Sequence, residues 1–151
     1  MKALNNDLLD VVATDHAPHT KEEKKNVYTK APSGGPLVQH SLAAMLQFYH
    51  QEKISLEKIV EKMCHNPAIL FQIKDRGFIR EGYKADLVLV DLNAPWSVQP
   101  DNIQYKCGWS PFEGVTFKSR VTHTFVNGNL VYRNFKHQPF AKVAERLQFD
   151  R

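Results

Sequence analysis

The sequence is poor in cysteine and has no long apolar run. Its two cysteines, Cys64 and Cys107, do not form a CxxC pair. This spacing argues against a disulfide framework and a cysteine-bound zinc, so we expect both thiols to be reduced and structural. No apolar stretch approaches the roughly 18–20 residues that span a bilayer, and KALNNDLLD after Met1 lacks the apolar core of a signal peptide. We therefore expect a cytoplasmic protein with no membrane partner.

Blocks of like charge are also absent. The 20 Lys and Arg residues are interleaved with 16 Asp and Glu, and the densest cluster, KEEKK at 21–25, is nearly self-neutralising. The net charge of +4 is thus not gathered into a patch, and no DNA- or RNA-binding motif accompanies it. We expect no nucleic-acid partner. With 42% hydrophobic and 24% charged residues, the composition is that of a globular domain.

Residues 1–77 are predicted to form one strand followed by helices. The segment LLDVVATD, 8–15, is typical of a strand buried on both faces of a parallel sheet. A long loop to Lys30 and a glycine turn, APSGGP at 31–36, are predicted to follow. Because ligands bind at such strand ends, this loop is where a functional site is expected. Helices are then predicted from three signals: the apolar spacing of Val38, Leu42, Met45, Leu46 and Tyr49 after Pro36 or Leu37, the N-cap Ser55, and the Asn66-Pro67 restart that ends near Gly77.

Residues 78–135 are predicted to form a β module. Two segments have strand patterns, 85–92 and 121–133, and the second contains Asn127-Gly128, a strong hairpin signal. The tail, 136–151, is predicted to dock as a helix or tail, with apolar residues at helical spacing: Phe140, Val143, Ala144 and Leu147. A single parallel strand needs neighbours that the pattern does not provide, so the chain resembles the end of a larger protein.

The stretch that ends the predicted strand carries the chemistry. Asp15 is followed by His16 and His19, and these side chains suit zinc or manganese. A catalytic zinc takes three or more protein ligands, however, and two histidines that flank a proline need not converge. From these residues alone, a metal site and a polar cap with solvent-facing histidines both stay open.

Several motifs together resemble the carboxyl-terminal third of a dihydroorotase. NPA and the glycine-to-ADLVLVD segment are shared with hydantoinases and allantoinases, whereas TDHAPH favours dihydroorotase. The order and spacing fit nearly the whole chain. The motifs are TDHAPH at 14–19, APSGGP at 31–36, NPA at 66–68, GFIREGYKADLVLVD at 77–91, SPFEG at 110–114 and VNGNLVY at 126–132.

The resemblance implies the fold class α/β: the carboxyl-terminal part of a metal-dependent (β/α)8 TIM barrel, plus part of a small β-sandwich built from both chain ends. Asp15 would end the eighth strand, bind one or two zinc ions and shuttle the proton. A hydroxide on zinc is a strong nucleophile near neutral pH, and an adjacent carboxylate can move its proton. His19 would bind the substrate carboxylate, and Ser33 and Gly34 the substrate ring. We expect His16 to orient Asp15 or bond backbone.

The sequence departs from the family pattern in the glycine loop. Many relatives have proline at the position of Ser33 and glycine at that of Leu37, which leaves the loop contacts and the substrate open. The other polar and aromatic residues are expected to be structural: His40, His50 and His65 on helices, Asp86 and Asp91 as hydrogen-bonding turn residues, Ser110–Gly114 as a turn, and Trp96, Trp109 and Phe112 as packing anchors.

Most of the family's metal ligands are missing. The chain contains no H-x-H pair, and a barrel takes about 250 residues. We expect a truncated part of a dihydroorotase, which interconverts (S)-dihydroorotate and N-carbamoyl-L-aspartate in pyrimidine synthesis. The alternatives are a hydantoinase or allantoinase, or a noncatalytic partner-binding module. Whether Met1 is a natural start stays open. A small-molecule substrate and a homo-oligomer are expected, and aspartate carbamoyltransferase is a candidate partner.

The isolated chain is predicted to be inactive and to self-associate. One carboxylate is too few ligands to retain zinc, and uncovered barrel-core surface promotes association. Light scattering after size-exclusion chromatography should show oligomers, and dihydroorotate should not be hydrolysed. A monodisperse monomer that melts cooperatively would contradict the prediction of association.

Overall fold

The computed structural model describes residues 1–139 and 143–150, with helices first and strands after them. No helix in these two ranges is long and apolar enough to cross a bilayer. The helical elements are α1 Lys2–Asn5, α2 Lys21–Lys24, α3 Ser41–Tyr49, α4 Leu56–Val60, a π-helix Glu61–His65, α5 Asn66–Leu70 and a 3-10 helix Pro100–Asn102. The strands are β1 Leu87–Asp91, β2 Trp96–Ser97, β3 Thr116–Phe117, β4 Arg120–Val126, β5 Asn129–Arg133 and β6 Lys136–His137.

The helix signals are largely confirmed. Ser55 caps α4, because its Oγ accepts a hydrogen bond from Lys58 N at 3.2 Å. The predicted restart at Asn66 is instead continuous with α4 through a π-turn, in which Asn66 N donates to Glu61 O. Since Pro67 has no N–H to donate, this wider turn carries the chain past it. The helix α3 begins at Ser41, a few residues later than predicted.

The strands form two antiparallel sheets. One has the order β1-β4-β5-β6 and the other consists of β2 and β3. The predicted hairpin is confirmed: Asn127 and Gly128, with φ of 48° and 80°, join β4 to β5. Positive φ at both positions is what a two-residue type I′ turn requires.

Two apolar clusters hold the layers together. The first joins α1, α3 and α4 through Leu4, Leu46 and Ile59. The second packs Ala43 of α3 against Val98 and Phe117, so it joins the helices to the β2–β3 sheet. The helix α3 therefore contributes to both clusters and links the two parts of the chain.

Residues 8–15 differ from the prediction of a buried strand. They have no strand pairing in the described structure, and Leu8 and Leu9 are 75% and 52% exposed. The reason is that a strand of a parallel sheet needs neighbouring strands, and the described residues supply none beside it. Helical residues hold the segment instead: Val12 N donates to Lys62 O at 3.0 Å, and Asn66 Nδ2 donates to Asp10 O at 2.8 Å.

An ion cluster anchors the start of this segment. Lys62 is 1% exposed, and its Nζ lies 2.8 Å from Asp7 Oδ1 and 3.2 Å from Glu61 Oε1. Lys58 Nζ also lies 2.8 Å from Asp7 Oδ1. Hydrogen bonds from Lys58 and Lys62 lower the pKa of Asp7 to about 2. The carboxylate thus stays charged and holds the chain just before residues 8–15.

The described part of the tail, 143–150, docks without forming a helix. Lys74 N donates to Gln148 O, Asp150 N donates to Gln72 O, and Phe149 bridges Ile73. Phe140, predicted on the apolar face of a tail helix, lies outside the described residues. These backbone hydrogen bonds to residues 72–74 account for the extended form of the tail. In a helix, the same N–H and C=O groups would bond within the helix instead.

Substitution of Gly77 tests how closely the chain packs on the helices as it leaves them. Its φ is +82°, and a Cβ there would lie 2.4 Å from Ala68 Cβ and 2.9 Å from Cys64 O. Gly82 has nearly the same φ, +81°, but no atom lies within 4 Å of its Cβ position. Gly82→Ala should cost only the left-handed strain, about 1–2 kcal/mol, and Gly77→Ala about 1–3 kcal/mol more through overlap. Urea unfolding measures both, and equal losses would contradict the packing argument.

Candidate active-site loops

Two loops that carry the predicted site residues lie side by side. We call residues 14–20 the DH loop and residues 31–37 the glycine loop. His16 forms a parallel bridge with Gly35, and Ala17 N donates to Gly35 O at 3.0 Å. Leu37 N donates to His16 Nδ1 at 3.1 Å. Because Nδ1 accepts this bond, the neutral ring carries its proton on Nε2. His16 therefore bonds backbone, one of the two roles predicted for it.

Asp15 stands at the exposed end of the extended segment. Its φ is +44°, a left-handed conformation that aspartate tolerates better than most residues. No hydrogen bond to its carboxylate occurs within residues 1–139 and 143–150. The carboxylate oxygens are thus available for a ligand or a proton.

His19 is held through its backbone. Its N–H donates to Ala17 O at 2.9 Å, and its carbonyl accepts a 2.7 Å hydrogen bond from Trp109 Nε1. The ring Nδ1 lies 3.7 Å from Glu23 Oε2, and the side chain is about one-third exposed. The imidazole is therefore partly open to solvent, while the main chain that carries it is anchored.

A short capped helix follows His19, where a loop was predicted. Thr20 Oγ1 accepts from Glu23 N, and Thr20 N donates to Glu23 Oε2 at 2.7 Å, which is a capping box. Hydrogen bonds from the Thr20 backbone and hydroxyl lower the pKa of Glu23. The cap positions Glu23 beside His19.

The glycine loop packs directly on the DH loop. Gly34 has φ of +79°, and a Cβ there would lie 2.7 Å from Ala17 Cβ. Lys24 of α2 also holds the glycine loop, because its Nζ donates to Pro32 O at 2.6 Å and to Gly34 O at 2.9 Å. Ser33 is exposed at the surface of this loop. The structure thus brings Ser33 and Gly34 into the same pair of loops as Asp15 and His19.

These loops do not form a complete metal site. Among the residues described, no group of three or more His, Cys, Asp or Glu side chains is arranged to hold a metal ion. His16 Nδ1 already accepts a hydrogen bond from a backbone N–H. Asp15, the metal ligand predicted from the sequence, has carboxylate oxygens without a hydrogen bond in the described chain. The donor set present does not fit zinc, which needs three or four ligands.

A cavity of about 380 Å³ lies beside the DH loop. Its lining residues are His16 and Pro18 of the DH loop, Val38 and Gln39 before α3, and Gln104–Cys107 of the β module. The ring centroids of His16 and Tyr105, which both line the cavity, lie 5.3 Å apart. The β module therefore contributes to the surroundings of the loops.

The structural roles expected for other residues are realised in several cases. Both cysteines are free. Asp86 Oδ1 accepts from Asn127 N at 2.8 Å, and His50 Nε2 lies 2.7 Å from Ser119 Oγ. Residues 111–114 form a turn. His40 is fully buried, with its ring between those of Trp96 and Phe112.

The contact between Trp109 and His19 is the site feature that the sequence does not reveal. The two residues are 90 positions apart. Trp109 was predicted as a packing anchor, and no local motif relates its indole N–H to the DH loop. A contact at this separation follows only from the way the β module folds back on the helices.

Lys24 should control the opening of the glycine loop. Lys24→Met removes two charge-assisted hydrogen bonds to carbonyls, so amide exchange at Ala17 and Leu37 should speed up roughly fivefold. Lys25→Met is the matched control, because Lys25 is exposed and its ammonium has no partner in the described chain. Hydrogen exchange monitored by NMR measures both variants. Unchanged exchange in Lys24→Met would contradict this role of Lys24.

Comparisons with known proteins agree with the motifs. The chain is 38% identical over 133 residues to the dihydroorotase of Clostridioides difficile strain 630, which covers 87% of this chain and 31% of the relative. The dihydroorotase of Halobacterium salinarum is 42% identical over 106 residues, covering 70% of this chain and 25% of the relative. The resemblance to a dihydroorotase is thereby confirmed. The chain spans about a third or less of these relatives.

Solved structures agree on the fold. The L-hydantoinase (dihydropyrimidinase) from Arthrobacter aurescens matches with a TM-score of 0.85 at 30% identity, over 91% of this chain and 32% of that protein. A D-hydantoinase matches with a TM-score of 0.82 at 26% identity, over 89% and 31%. The predicted α/β fold class, as part of a larger enzyme fold, is confirmed. A model described as the amidohydrolase family matches residues 1–131, and this chain therefore belongs to the amidohydrolase family.

Proposed function

We propose that this chain forms the carboxyl-terminal part of a dihydroorotase, a hydrolase that opens and closes a cyclic amide. The observation that carries the proposal is the pairing of the DH loop with the glycine loop through His16, Ala17 and Gly35. This pairing places the loop that carries Asp15 and His19 beside the loop that carries Gly34. Similarity to curated dihydroorotases over 133 residues supports the same activity.

Asp15 acts as the proton carrier in this proposal. Water attacks the ring carbonyl of dihydroorotate while the carboxylate takes its proton, and the carboxyl group then delivers that proton to the ring nitrogen as the C–N bond breaks. The product is N-carbamoyl-aspartate, and the reverse sequence closes the ring. The carboxylate of Asp15 is exposed and has no hydrogen bond within the described residues, which supports this role.

His19, Ser33 and Gly34 bind the substrate in this proposal. The His19 imidazole is partly exposed, and in either protonation state it offers an N–H to the substrate carboxylate. Ser33 and Gly34 present backbone groups to the ring from a loop that Lys24 holds in place. The DH loop thus supplies the proton carrier and the carboxylate-binding histidine, and the glycine loop supplies the contacts to the ring.

Zinc, one or two ions, is proposed for the complete enzyme, with Asp15 as one ligand and the others outside this chain. We further propose that residues 1–77 belong to the (β/α)8 barrel, that 78–135 belong to a composite β-sandwich, and that 136–151 dock on both. A cytoplasmic location, a homo-oligomer and a complex with aspartate carbamoyltransferase belong to the same proposal.

A hydantoinase or dihydropyrimidinase is the second candidate. Solved structures with those names match the fold at TM-scores up to 0.85. The two candidates differ in substrate, because dihydroorotate carries a carboxylate that hydantoin and dihydrouracil lack. The noncatalytic module is the third candidate.

A chimaera tests the three candidates. The first two thirds of the C. difficile dihydroorotase are fused to this chain, and turnover of dihydroorotate, hydantoin and dihydrouracil is compared. Fastest turnover of dihydroorotate supports the proposal, and preference for hydantoin or dihydrouracil supports the second candidate. A folded chimaera that turns over none of them, beside an active C. difficile enzyme, supports a noncatalytic module.

Asp15→Asn in this chimaera should lower kcat by about 10²–10⁴-fold, because the amide cannot accept the proton. In the 151-residue chain the same substitution should change thermal unfolding little, since the side chain is exposed and has no hydrogen bond in the described structure. Asp10→Asn is the matched control on the same extended segment and should keep normal kcat. An Asp15→Asn enzyme with normal turnover would exclude Asp15 as the proton carrier.

A further inference from the structure

One indole touches both candidate loops. Trp109 Nε1 donates to the carbonyl of His19 at 2.7 Å. The far edge of the same ring lies against the glycine loop, where a Cβ at Gly35 would be 3.8 Å from Trp109 Cη2. Trp109 belongs to the β module, so its placement sets where the two loops sit relative to that module.

A buried pair of side chains holds the segment that carries Trp109. The next residue, Ser110, is 5% exposed, and its Oγ lies 3.1 Å from His40 Nδ1. The hydroxyl of Tyr105 lies 3.2 Å from the same nitrogen. His40 has no exposed surface, and rings enclose it, including those of Trp96, Phe112 and Phe117.

The two hydroxyls that meet His40 are themselves fixed by the backbone. Tyr105 Oη accepts from Gln39 N at 2.9 Å, and Ser110 Oγ accepts from Phe112 N at 3.1 Å. Both hydroxyls also lie within hydrogen-bond distance of His40 Nδ1. Burial lowers the pKa of His40, which favours the neutral imidazole in this arrangement.

Nε2 of His40 has no hydrogen-bond partner in the described residues. A buried polar atom without a partner costs stability, so histidine is an expensive choice for a purely apolar packing position. The Nδ1 atom of His40, in contrast, is a hydrogen-bonding partner for the hydroxyls of Ser110 and Tyr105. These two residues lie on either side of Trp109 in the sequence.

We propose that Trp109, fixed by the His40–Ser110 pair, is a positioning residue that holds the main chain of His19 so that its imidazole meets the carboxylate of an anionic substrate. The inference rests on the function proposed above. The His19 ring has one described charged neighbour, Glu23, at 3.7 Å. Because that contact is too long for a hydrogen bond, the bond from Trp109 to the His19 carbonyl is the firmer restraint.

Trp109→Phe tests the inference, because it removes the N–H and keeps an aromatic ring. In the chimaera, KM for dihydroorotate should rise about fivefold, the worth of one hydrogen bond, with kcat within about twofold. Tyr83→Phe is the control: it also removes one polar group from an aromatic side chain, and its hydroxyl lies 3.5 Å from Arg80 Nη1 rather than at His40 or the two loops. It should leave KM and kcat unchanged. An equal change in both variants would overturn the inference.

A double-mutant cycle separates positioning from general loosening. If Trp109 acts through His19, adding Trp109→Phe to His19→Ala should not raise KM further. Additive effects would overturn the inference. Should Trp109→Phe fail to fold, Ser110→Ala, which removes one buried oxygen, should raise KM in the same direction. An unchanged KM in that variant would overturn the role of the His40–Ser110 pair.

A measurement on the 151-residue chain keeps this inference separate from the proposed function. In the ¹⁵N-labelled chain, Trp109→Phe should shift the amide resonances of His19 and Gly35, and Tyr83→Phe should not. Unmoved His19 and Gly35 resonances would overturn the inference whatever the enzyme does. A chimaera that does not turn over dihydroorotate would instead overturn the proposed function, and the amide shifts would still decide whether Trp109 positions His19.

Discussion

The hydrogen bonds around the buried His40 are the constraint on which the relation between the two halves depends. His40 immediately precedes α3, and its Nδ1 is shared by Tyr105 and Ser110 of the β module. Each hydroxyl also accepts one backbone N–H, from Gln39 for Tyr105 and from Phe112 for Ser110, so both hydroxyls are held by two partners. Because the arrangement is both buried and directional, it fixes the β module against α3 more closely than apolar packing alone would. The contact of Trp109 with the candidate loops follows from it.

A second constraint acts on the segment that ends in Asp15. Backbone groups of an extended segment need partners, and a parallel strand normally finds them in its neighbours. Here Lys62 and Asn66 bond part of the backbone, while Leu8 and Leu9 keep large exposed surfaces. Helical residues therefore hold the segment through its backbone, while two of its apolar side chains stay largely exposed.

The candidate site combines a firm frame with an incomplete set of reactive groups. Side-chain nitrogens of His16, Lys24 and Trp109 form hydrogen bonds with the backbone of the two loops and hold it in place. Asp15 keeps free oxygens, and His19 keeps a partly exposed ring. Under the proposed function, the substrate and the metal would take their other contacts from outside this chain. The chain, which spans 31% of the dihydroorotase of C. difficile, keeps the recognisable loops without a metal site among its described residues.

The sequence by itself determined the features that depend on neighbours a few residues away. The cap at Ser55 and the turn at Asn127-Gly128 were predictable because their hydrogen bonds and φ angles are local. The TDHAPH and APSGGP motifs likewise identified the candidate loops. Only the tertiary structure decided the burial of His40, the bond from Trp109 to His19 and the unpaired state of residues 8–15. Those depend on partners up to 90 residues apart, or on strands that the described chain does not supply, and no local pattern encodes either.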